Sequence, residues 1–600
     1  MIYSFDIFDT LITRITYSPK GIFAIMQNKL EKENRYSTYF RTNFSKIREE
    51  AELNARNYAN ENHQQEISIK DIYRSISEFD NLNQSQIEDL IDLEISTEKE
   101  CTISIDDNIK ALKELINNGE TVILLSDMYL DGAVIREILV SIDEVFTDIP
   151  IYISCDCNMT KSSGTMFTYI HNELGIQYSE WHHTGDNYTS DYLIPRALGI
   201  TCRHISRRDR YPWINKLRTK YSDDSLDFQM VFGIVNAISN YNDTDTMKLG
   251  KSFSGIIVMG YAKWILSRAI DDGIEELYFI ARDGYVVKRV VDRLIKRSDI
   301  SINTKYIYGS RKAWRVKDDM GATNNLKKYF VQNVDFNKKI AFVDANGFGI
   351  SISCVADILG DIWRNTIPVY YFSFHRKIKQ SKCTFYNYCY SSRDLIELLC
   401  SATHGSTIGY EEIDGKVEPI LENCCDEIDN EDYIEGILMY VDTMVNALEK
   451  LELKINPRRI VAELINSNAY TGERSLQELW LNLNSDESMK CNERVERKIN
   501  TYKSLSSKKI IIYGAGKAGK ELFNKINVNK EYLISAWTDI NHEEYMRQGL
   551  PVIPLNDALD KEYDLIIIAI RSYMSKCSAE CILTELGVKK EKIRHIDDVL

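Results

Sequence analysis

The sequence predicts an α/β chain of several domains, and three observations carry that expectation. Short apolar runs leave through acidic or glycine-containing turns: Ile2, Tyr3 and Phe5 before Asp6, Leu277-Tyr278-Phe279-Ile280 before Ala281-Arg282-Asp283-Gly284, and Ile510-Ile511-Ile512-Tyr513 before Gly514. Segments of helical spacing follow the second and third of these turns, making strand, turn and helix units of the kind that build α/β sheets. A length of 600 residues, at roughly 100 to 200 residues per domain, allows three to five domains. Three are expected, over residues 1–207, 225–500 and 508–600.

The first run delivers Asp6 to the carboxyl edge of a sheet, where open α/β folds place their chemistry. A second apolar strand, Thr121-Val122-Ile123-Leu124-Leu125-Ser126, ends in a hydroxyl able to donate to a phosphoryl oxygen. Lys161, in Met159-Thr160-Lys161-Ser162-Ser163-Gly164, is a cation suited to neutralise both a nucleophilic carboxylate and a transferring group. After a further apparent strand, Thr184-Gly185-Asp186-Asn187-Tyr188-Thr189-Ser190-Asp191 supplies two carboxylates, oxygen ligands for a hard ion such as Mg²⁺.

In this order, over residues 1–207, the four motifs resemble the haloacid dehalogenase-like (HAD) superfamily, a Rossmannoid domain with a helical cap. The resemblance implies that Asp6 is the nucleophile and that Ser126 and Lys161 bind the phosphoryl group. It also implies that Asp186 holds Mg²⁺ with Asp6 and the backbone carbonyl of Phe8, and that Asp191 supports that metal shell. One position departs from the pattern. Phosphatases of the family usually carry a second Asp two residues after the nucleophile, as acid for the leaving alcohol and then base for water, and this chain has Phe8 there. Asp9 comes one residue late, and adjacent side chains on an extended segment point to opposite sides. Losing such help costs roughly 10²- to 10⁴-fold in rate, which leaves a slow phosphatase, a phosphotransferase with a good leaving group, or a binding site that kept the metal.

Composition narrows the partners. A net charge of −15 and a pI near 5.3 argue against general attraction to nucleic acid or anionic membrane. The thirteen cysteines show no paired zinc spacing, with Cys155 and Cys157 one residue apart and Cys424 and Cys425 adjacent, and they read as reduced thiols. The amino terminus has neither a basic region nor an apolar leader, and no apolar run approaches the roughly 20 residues of a membrane span. A cytoplasmic protein acting on a small phosphorylated substrate is expected.

Residues 17 to about 115 are rich in Glu, Lys, Asn, Ile and Leu with helical periodicity, as in 46–53 and 87–94. An insertion there resembles the cap that closes over the site in the superfamily and selects the substrate. In the middle region, 277–284 and 340–350 read as buried strands leaving through acidic, glycine-containing turns that place backbone N–H groups at helix starts. Arg282, Asp283, Arg311 and Asp344, at predicted strand ends, are candidates for a second site, which His404 could join; surface salt bridges account for the four equally well. The arrangement loosely resembles a phosphoribosyltransferase core, but has one acid, Asp344, where two adjacent acids are usual. The combination of Phe-Asp-Ile-Phe-Asp-Thr-Leu, Ala-Arg-Asp-Gly, Gly-Ser-Arg-Lys and Val-Asp-Ala-Asn-Gly resembles large proteins encoded among bacterial capsule and surface-polysaccharide genes, which implies association with polysaccharide-biosynthesis enzymes. From 435 to 500 the chain reads as helical, with Tyr440, Met444, Leu448 and Leu451 on one packing stripe, and 484–509 reads as a linker.

The last domain opens with a strand, then Gly514-Ala515-Gly516-Lys517-Ala518-Gly519 and a helix. Asp539 follows a second strand about 20 residues on, the spacing of a dinucleotide fingerprint in which an acid bonds a ribose hydroxyl. Gly514, Gly516, Gly519 and Asp539 are therefore the candidate cofactor-binding residues. Fewer than 100 residues form a compact Rossmann-like unit, which resembles the nucleotide-sugar-binding domains attached to sugar-modifying enzymes. Taken whole, the sequence predicts Mg²⁺-dependent phosphoryl transfer through Asp6 on a phosphorylated sugar, polyol or nucleotide-sugar for surface polysaccharide. The alternatives are a transferase whose main site lies in the middle domain, or a non-catalytic assembly protein with three degenerate nucleotide-binding folds.

Overall fold

The computed structural model describes residues 1–80, 82–205, 214, 217, 225–240, 242–375, 381–389, 396–397, 399–400, 402–422, 431–466, 509–516, 518–520, 522–523, 526, 533–570, 579–580, 582–584 and 586–596. Two compact units divide the chain, Met1–Leu479 and Trp480–Leu600. Both are α/β, built on parallel sheets.

The first unit contains two five-stranded parallel sheets. Strands β1 (Ile2–Asp6), β2 (Thr121–Ser126), β3 (Ile151–Ile153), β4 (Trp181–Gly185) and β5 (Thr201–His204) form the first, in the order β3-β2-β1-β4-β5. Their apolar residues are buried because helices cover the faces of such a sheet: Ile123 and Leu125 pack with Phe167, Ile170 and Trp181. Strands β6 (Glu276–Ile280), β7 (Asn303–Ile307), β8 (Ile340–Gly347), β9 (Ile367–Phe374) and β10 (Cys383–Asn387) form the second, in the order β10-β9-β8-β6-β7. Both sheets lie within one unit, and helix Leu226–Ala237 docks on the chain that follows β1. Tyr17 N donates to Gln229 O at 2.9 Å, and a Cβ on Gly233 would stand 2.2 Å from the carbonyl oxygen of Ile15.

The stretch expected as a cap is helical. It contains α1 (Lys20–Leu30), α2 (Thr38–Glu61), α3 (Ile69–Asp80) and α4 (Gln84–Cys101). Ser37 caps α2 by accepting from Phe40 N, and Asn83 with Gln86 forms a capping box on α4. A buried ion pair ties these helices together: Arg48 of α2 donates from Nε and Nη2 to both carboxylate oxygens of Glu94 of α4, each at 2.8 Å. Tyr73 of α3 donates to the same carboxylate at 2.7 Å, while Phe23 of α1 lies 4.4 Å beneath the Arg48 guanidinium.

Two sequence expectations change in detail. Asp344 does not end its strand, because the ladder between β8 and β9 continues through Asn346 opposite Ser373 and Gly347 opposite Phe374. The segment after Asp6 is not extended: it turns at once, and Asp9 takes a left-handed φ of 56°. Helix Glu431–Lys450 buries Tyr440, Met444 and Leu448, as the packing stripe requires, and Leu451 just beyond it is buried too. Residues 467–500 of the expected helical stretch, and all of the expected linker but Lys509, lie outside the described residues.

The second unit contains β11 (Lys509–Tyr513), β12 (Leu533–Thr538), β13 (Leu565–Ile568) and β14 (Ile593–His595), all parallel, in the order β12-β11-β13-β14. Among the described residues no helix is long and apolar enough to cross a membrane.

Breaking one side of the Arg48 pair leaves a buried carboxylate uncompensated, so Arg48→Met is expected to cost about 3 to 5 kcal/mol in chemical denaturation. Burial alone would raise the Glu94 pKa, but Arg48 and Tyr73 outweigh it and hold the carboxyl below its ordinary range. The stabilisation should therefore be complete above roughly pH 4.5 and fade as pH falls through the lower folded value. An Arg48→Met chain as stable as the parent at pH 7 would show that the pair does not hold the cap.

Candidate functional site

β1 stands at the centre of the first sheet, with β2 on one side and β4 on the other. That is the switch point of the sheet, and the carboxyl ends of these three strands bring together residues far apart in sequence. Asp6 ends β1 opposite Leu125, so Ser126 lies one step further along β2. Both are buried. Asp186 follows β4 directly.

Lys161 reaches this edge from the loop before helix Thr165–Leu174. Asp127 fixes that loop by accepting from the backbone N–H groups of Lys161 at 2.7 Å and Ser162 at 3.2 Å. The Lys161 ammonium is 3% exposed and donates to Asp6 Oδ1 and, at 2.7 Å, to Asp191 Oδ1. Thr10 donates to the second Asp6 oxygen at 3.2 Å.

Asp191 lies in the π-helical segment Tyr188–Leu193, and its Oδ2 accepts from Asn187 N at 2.9 Å. Glycine is required at 185 for this approach, because a Cβ there would stand 2.5 Å from the Asp191 carboxyl carbon. A relay of buried side chains orients the carboxylate from behind. Trp181 Nε1 donates to Ser4 Oγ at 2.7 Å, Ser4 Oγ stands 2.7 Å from His183 Nδ1, and His183 Nε2 stands 3.2 Å from Asp191 Oδ1. Burial lowers the His183 pKa and keeps the ring neutral. A neutral ring that accepts from Ser4 at Nδ1 has its hydrogen on Nε2, directed at Asp191.

The charges explain what the site lacks. Burial would strip the Lys161 ammonium of its proton, but Asp6, Asp191 and Asp127 outweigh it and hold the charge on. Burial would also raise Asp191, whereas Lys161 and His183 hold that carboxyl well below the usual range. Asp6 goes the other way: burial pushes it up to about 8 against the pull of Lys161, and Asp191 and Asp186 add to the rise. Carboxylate oxygens of Asp6, Asp186 and Asp191 lie within 4.8 Å of one another, with one ammonium among them. A divalent cation fits that excess of negative charge, and the all-oxygen donor set suits Mg²⁺.

These groups form the floor of a cleft of about 850 Å³. Lys20 and Phe23 of α1 and Glu52, Leu53 and Arg56 of α2 also line it. Phe8 and Asp9 both face the cleft despite their adjacency, since the left-handed turn at Asp9 breaks the alternation of an extended chain. The Arg14 guanidinium stacks 4.1 Å from the Phe8 ring centroid, and Thr13 donates to Asp9 at 2.8 Å.

All six site residues expected in 1–207, namely Asp6, Phe8, Ser126, Lys161, Asp186 and Asp191, thus meet in one cleft. Asp127, Ser4 and His183 were not expected. An acid next to Ser126 is visible in sequence, and period-2 alternation in β4 places His183 on the same face as buried Trp181.

The remaining candidates lie elsewhere. Arg282 and Asp283 follow β6, Asp344 lies in β8, and Arg311 opens the short helix after β7. His404 is packed among Tyr285, Tyr306 and Tyr308 and pairs with the Tyr306 hydroxyl at 2.8 Å, which makes it part of the local packing. In the second unit Gly514 has a φ of 111°, and a Cβ on Gly519 would stand 1.9 Å from the Gly514 carbonyl oxygen, so the helix start crowds the strand end. A Cβ on Gly516 would meet nothing closer than the Tyr545 hydroxyl at 3.9 Å. Asp539 turns back on its own chain, accepting from Ala515 N at 2.6 Å and Asn541 N at 2.8 Å.

A family model described as C2185-like, N-terminal, matches residues 506–594. No curated protein matches the chain. Similar solved structures include a dehalogenase, 16% identical, with 35% of this chain and 86% of that chain covered and a TM-score of 0.25. A HAD phosphatase from Thermococcus onnurineus is 16% identical, with 35% of this chain and 87% of that chain covered and a TM-score of 0.25. The L-2-haloacid dehalogenase from Xanthobacter autotrophicus is 12% identical, with 37% of this chain and 83% of that chain covered and a TM-score of 0.27.

If the relay from Trp181 through Ser4 and His183 orients Asp191, His183→Leu should weaken Mg²⁺ binding by roughly 10- to 100-fold while leaving the chain folded. Calorimetric titration with Mg²⁺ beside a thermal melt checks this, and unchanged affinity would reduce His183 to a packing role.

Proposed function

We propose that Asp6 is the nucleophile of a Mg²⁺-dependent phosphoryl transfer. The reading is carried by one observation, the buried Lys161 ammonium that binds Asp6 and Asp191 at the switch point of the sheet. An acid that ends a central strand, paired with a cation and grouped with two further carboxylates on the floor of a cleft, suits attack on a phosphorus centre. The order of motifs, which resembles the HAD superfamily, supports the same reading.

An Asp6 carboxylate oxygen attacks phosphorus, and an Oδ–P bond forms as the ester P–O bond breaks and its electron pair leaves on the alcohol oxygen. The alkoxide takes its proton from solvent; water then attacks the same phosphorus, losing a proton to solvent, and the Oδ–P bond breaks with its electron pair returning to Asp6, which releases phosphate and restores the carboxylate. Lys161 balances charge on Asp6 throughout, and Ser126, one step beyond the Asp6 partner on β2, would donate to a phosphoryl oxygen. Mg²⁺ held by Asp6, Asp186 and the Phe8 carbonyl, with Asp191 behind them, would supply positive charge to the transferring group.

Residue 8 has no proton to give. The Phe8 ring lies under Arg14, so the leaving oxygen departs without help from that position. The reaction is therefore slow for ordinary alcohols, or is a transfer from a good leaving group. Arg14, Lys20 and Arg56 with Glu49 and Glu52 make the cleft wall polar and of mixed charge, which suits a hydroxyl-rich anion. We take the substrate to be a phosphorylated sugar, polyol or nucleotide-sugar; its place in surface-polysaccharide biosynthesis rests on the resemblance of the motif combination. The second unit could add a nucleotide or nucleotide-sugar at Gly514, Gly516 and Gly519, with Asp539 holding the loop shape.

Phosphate release should require Mg²⁺ and be abolished in Asp6→Asn without loss of folding. p-Nitrophenyl phosphate, whose leaving group needs no proton, should turn over faster than sugar phosphates, and Phe8→Asp should raise sugar phosphate hydrolysis by roughly 10²-fold or more. Release assays on the three chains decide it, and turnover persisting in Asp6→Asn would remove Asp6 as nucleophile.

A further inference from the structure

The second sheet carries a group of residues that the chemistry at Asp6 does not use. β6 is its first strand, β7 lies on one side of it and β8 on the other, so the crevice beyond the carboxyl ends of β6 and β8 is a switch point of the kind where open sheets bind ligands. Asp283 follows β6, and Asp344 and Asn346 lie in the last half of β8. Glu397 joins them: Asn346 Nδ2 donates to its Oε1 at 3.0 Å, and its charge acts on both Asp283 and Asp344.

One atom there lacks what the chain should provide. Asn346 is only 9% exposed, and its Oδ1 is buried with no hydrogen-bond partner among the described residues. A buried acceptor without a donor is costly and uncommon. Burial, with Glu397 next, raises Asp344 to about 7 against the hydrogen bonds it accepts from the Ala345 and Asn346 backbones and the Tyr371 hydroxyl, and the same two causes drive Asp283 upward. This part of the crevice calls for a ligand rich in hydrogen-bond donors.

The rim calls for negative charge. Arg282 and Arg311 both act on Asp283 from close by. Helices Gly284–Lys296 and Ile350–Leu359 begin at the same edge, directly after Asp283 and Gly349, and neither N-cap residue makes a side-chain cap bond, although the Gly349 N–H meets the Tyr371 hydroxyl. Uncapped first-turn N–H groups favour an anion. A bare divalent cation would satisfy the acceptors and not the rim, and inorganic phosphate would satisfy the rim and not Asn346.

We propose that this crevice is a second ligand site that binds a phosphorylated sugar, with hydroxyls on Asn346 Oδ1, Asp344 and Glu397 and the phosphate on Arg282, Arg311 and the two helix starts. It stands independently of the reaction assigned to Asp6, because none of these residues lines the Asp6 cleft.

The test is calorimetric titration of the full-length Asp6→Asn chain, in which turnover is blocked, with D-glucose 1-phosphate and D-ribose 5-phosphate in the presence of EDTA. At least one compound should bind, and Asn346→Leu should weaken it at least about tenfold. Arg311→Gln should weaken it by a similar factor, and because Arg311 is exposed this variant decides the matter if Asn346→Leu does not fold. No heat from either compound, or affinities unchanged in both variants, would overturn the proposal. So would Mn²⁺ binding, without sugar phosphate, that Asn346→Leu removes, since the crevice would then be a cation site.

Discussion

Lys161 places one ammonium against Asp6 and Asp191 where water is nearly excluded. Buried charges persist only when paired, so this contact sets conditions on much of the surrounding structure. The loop that carries Lys161 must be held, and Asp127 holds it through two backbone N–H groups. Asp191 must come within reach, and Gly185 leaves the space for it. Its carboxylate must face inward, which the chain from Trp181 through Ser4 to His183 enforces from the far side. With Asp186 added, negative charge still exceeds positive, and burial first, with Asp191 and Asp186 after it, raises the pKa of Asp6 against the pull of Lys161.

The three principal parallel sheets differ in strand order but have one feature in common. In each, the strand that comes first in sequence lies inside the sheet, flanked by later strands, so that a crevice opens at its carboxyl end. The occupants of that position differ: Asp6 in the first sheet, Asp283 beside Asn346 and Glu397 in the second, and the Gly514 turn in the third. Chemistry follows from what each crevice presents. The first presents three carboxylates around a buried ammonium, the second a mixture of acceptors and arginines, and the third a backbone loop braced by Asp539.

Sequence showed the local part of this arrangement well. A strand ending in Asp6, a strand ending in Ser126, and the acids after β4 are features of single segments, and burial of an apolar run fixes where its polar end emerges. Asp344 was placed less well, because strand length depends on pairing with β9, which no local pattern records. Asp9 was misread for a related reason: one left-handed residue cancels the alternation on which the argument rested. His183, Asp127 and Glu397 act through contacts made across the fold, so their roles appear only once strands and loops meet. Asp539 lies where the spacing puts it, but its carboxylate braces the glycine loop.

Phe8 is the residue that gives the site its character. In the proposed reaction Asp6 would form a phosphoryl adduct beside Lys161, and an aromatic ring under Arg14 takes the position from which a proton donor would assist its formation and breakdown. An aspartyl phosphate at residue 6 is therefore the species on which the account depends, and slow hydrolysis should let it accumulate. The direct measurement is borohydride reduction of the chain during turnover of p-nitrophenyl phosphate with Mg²⁺, followed by mass spectrometric mapping of the amino-terminal peptide. The account predicts homoserine at position 6, formed only when substrate and metal are both present. Turnover with position 6 unmodified, or with the reduced residue at another acid, would contradict it.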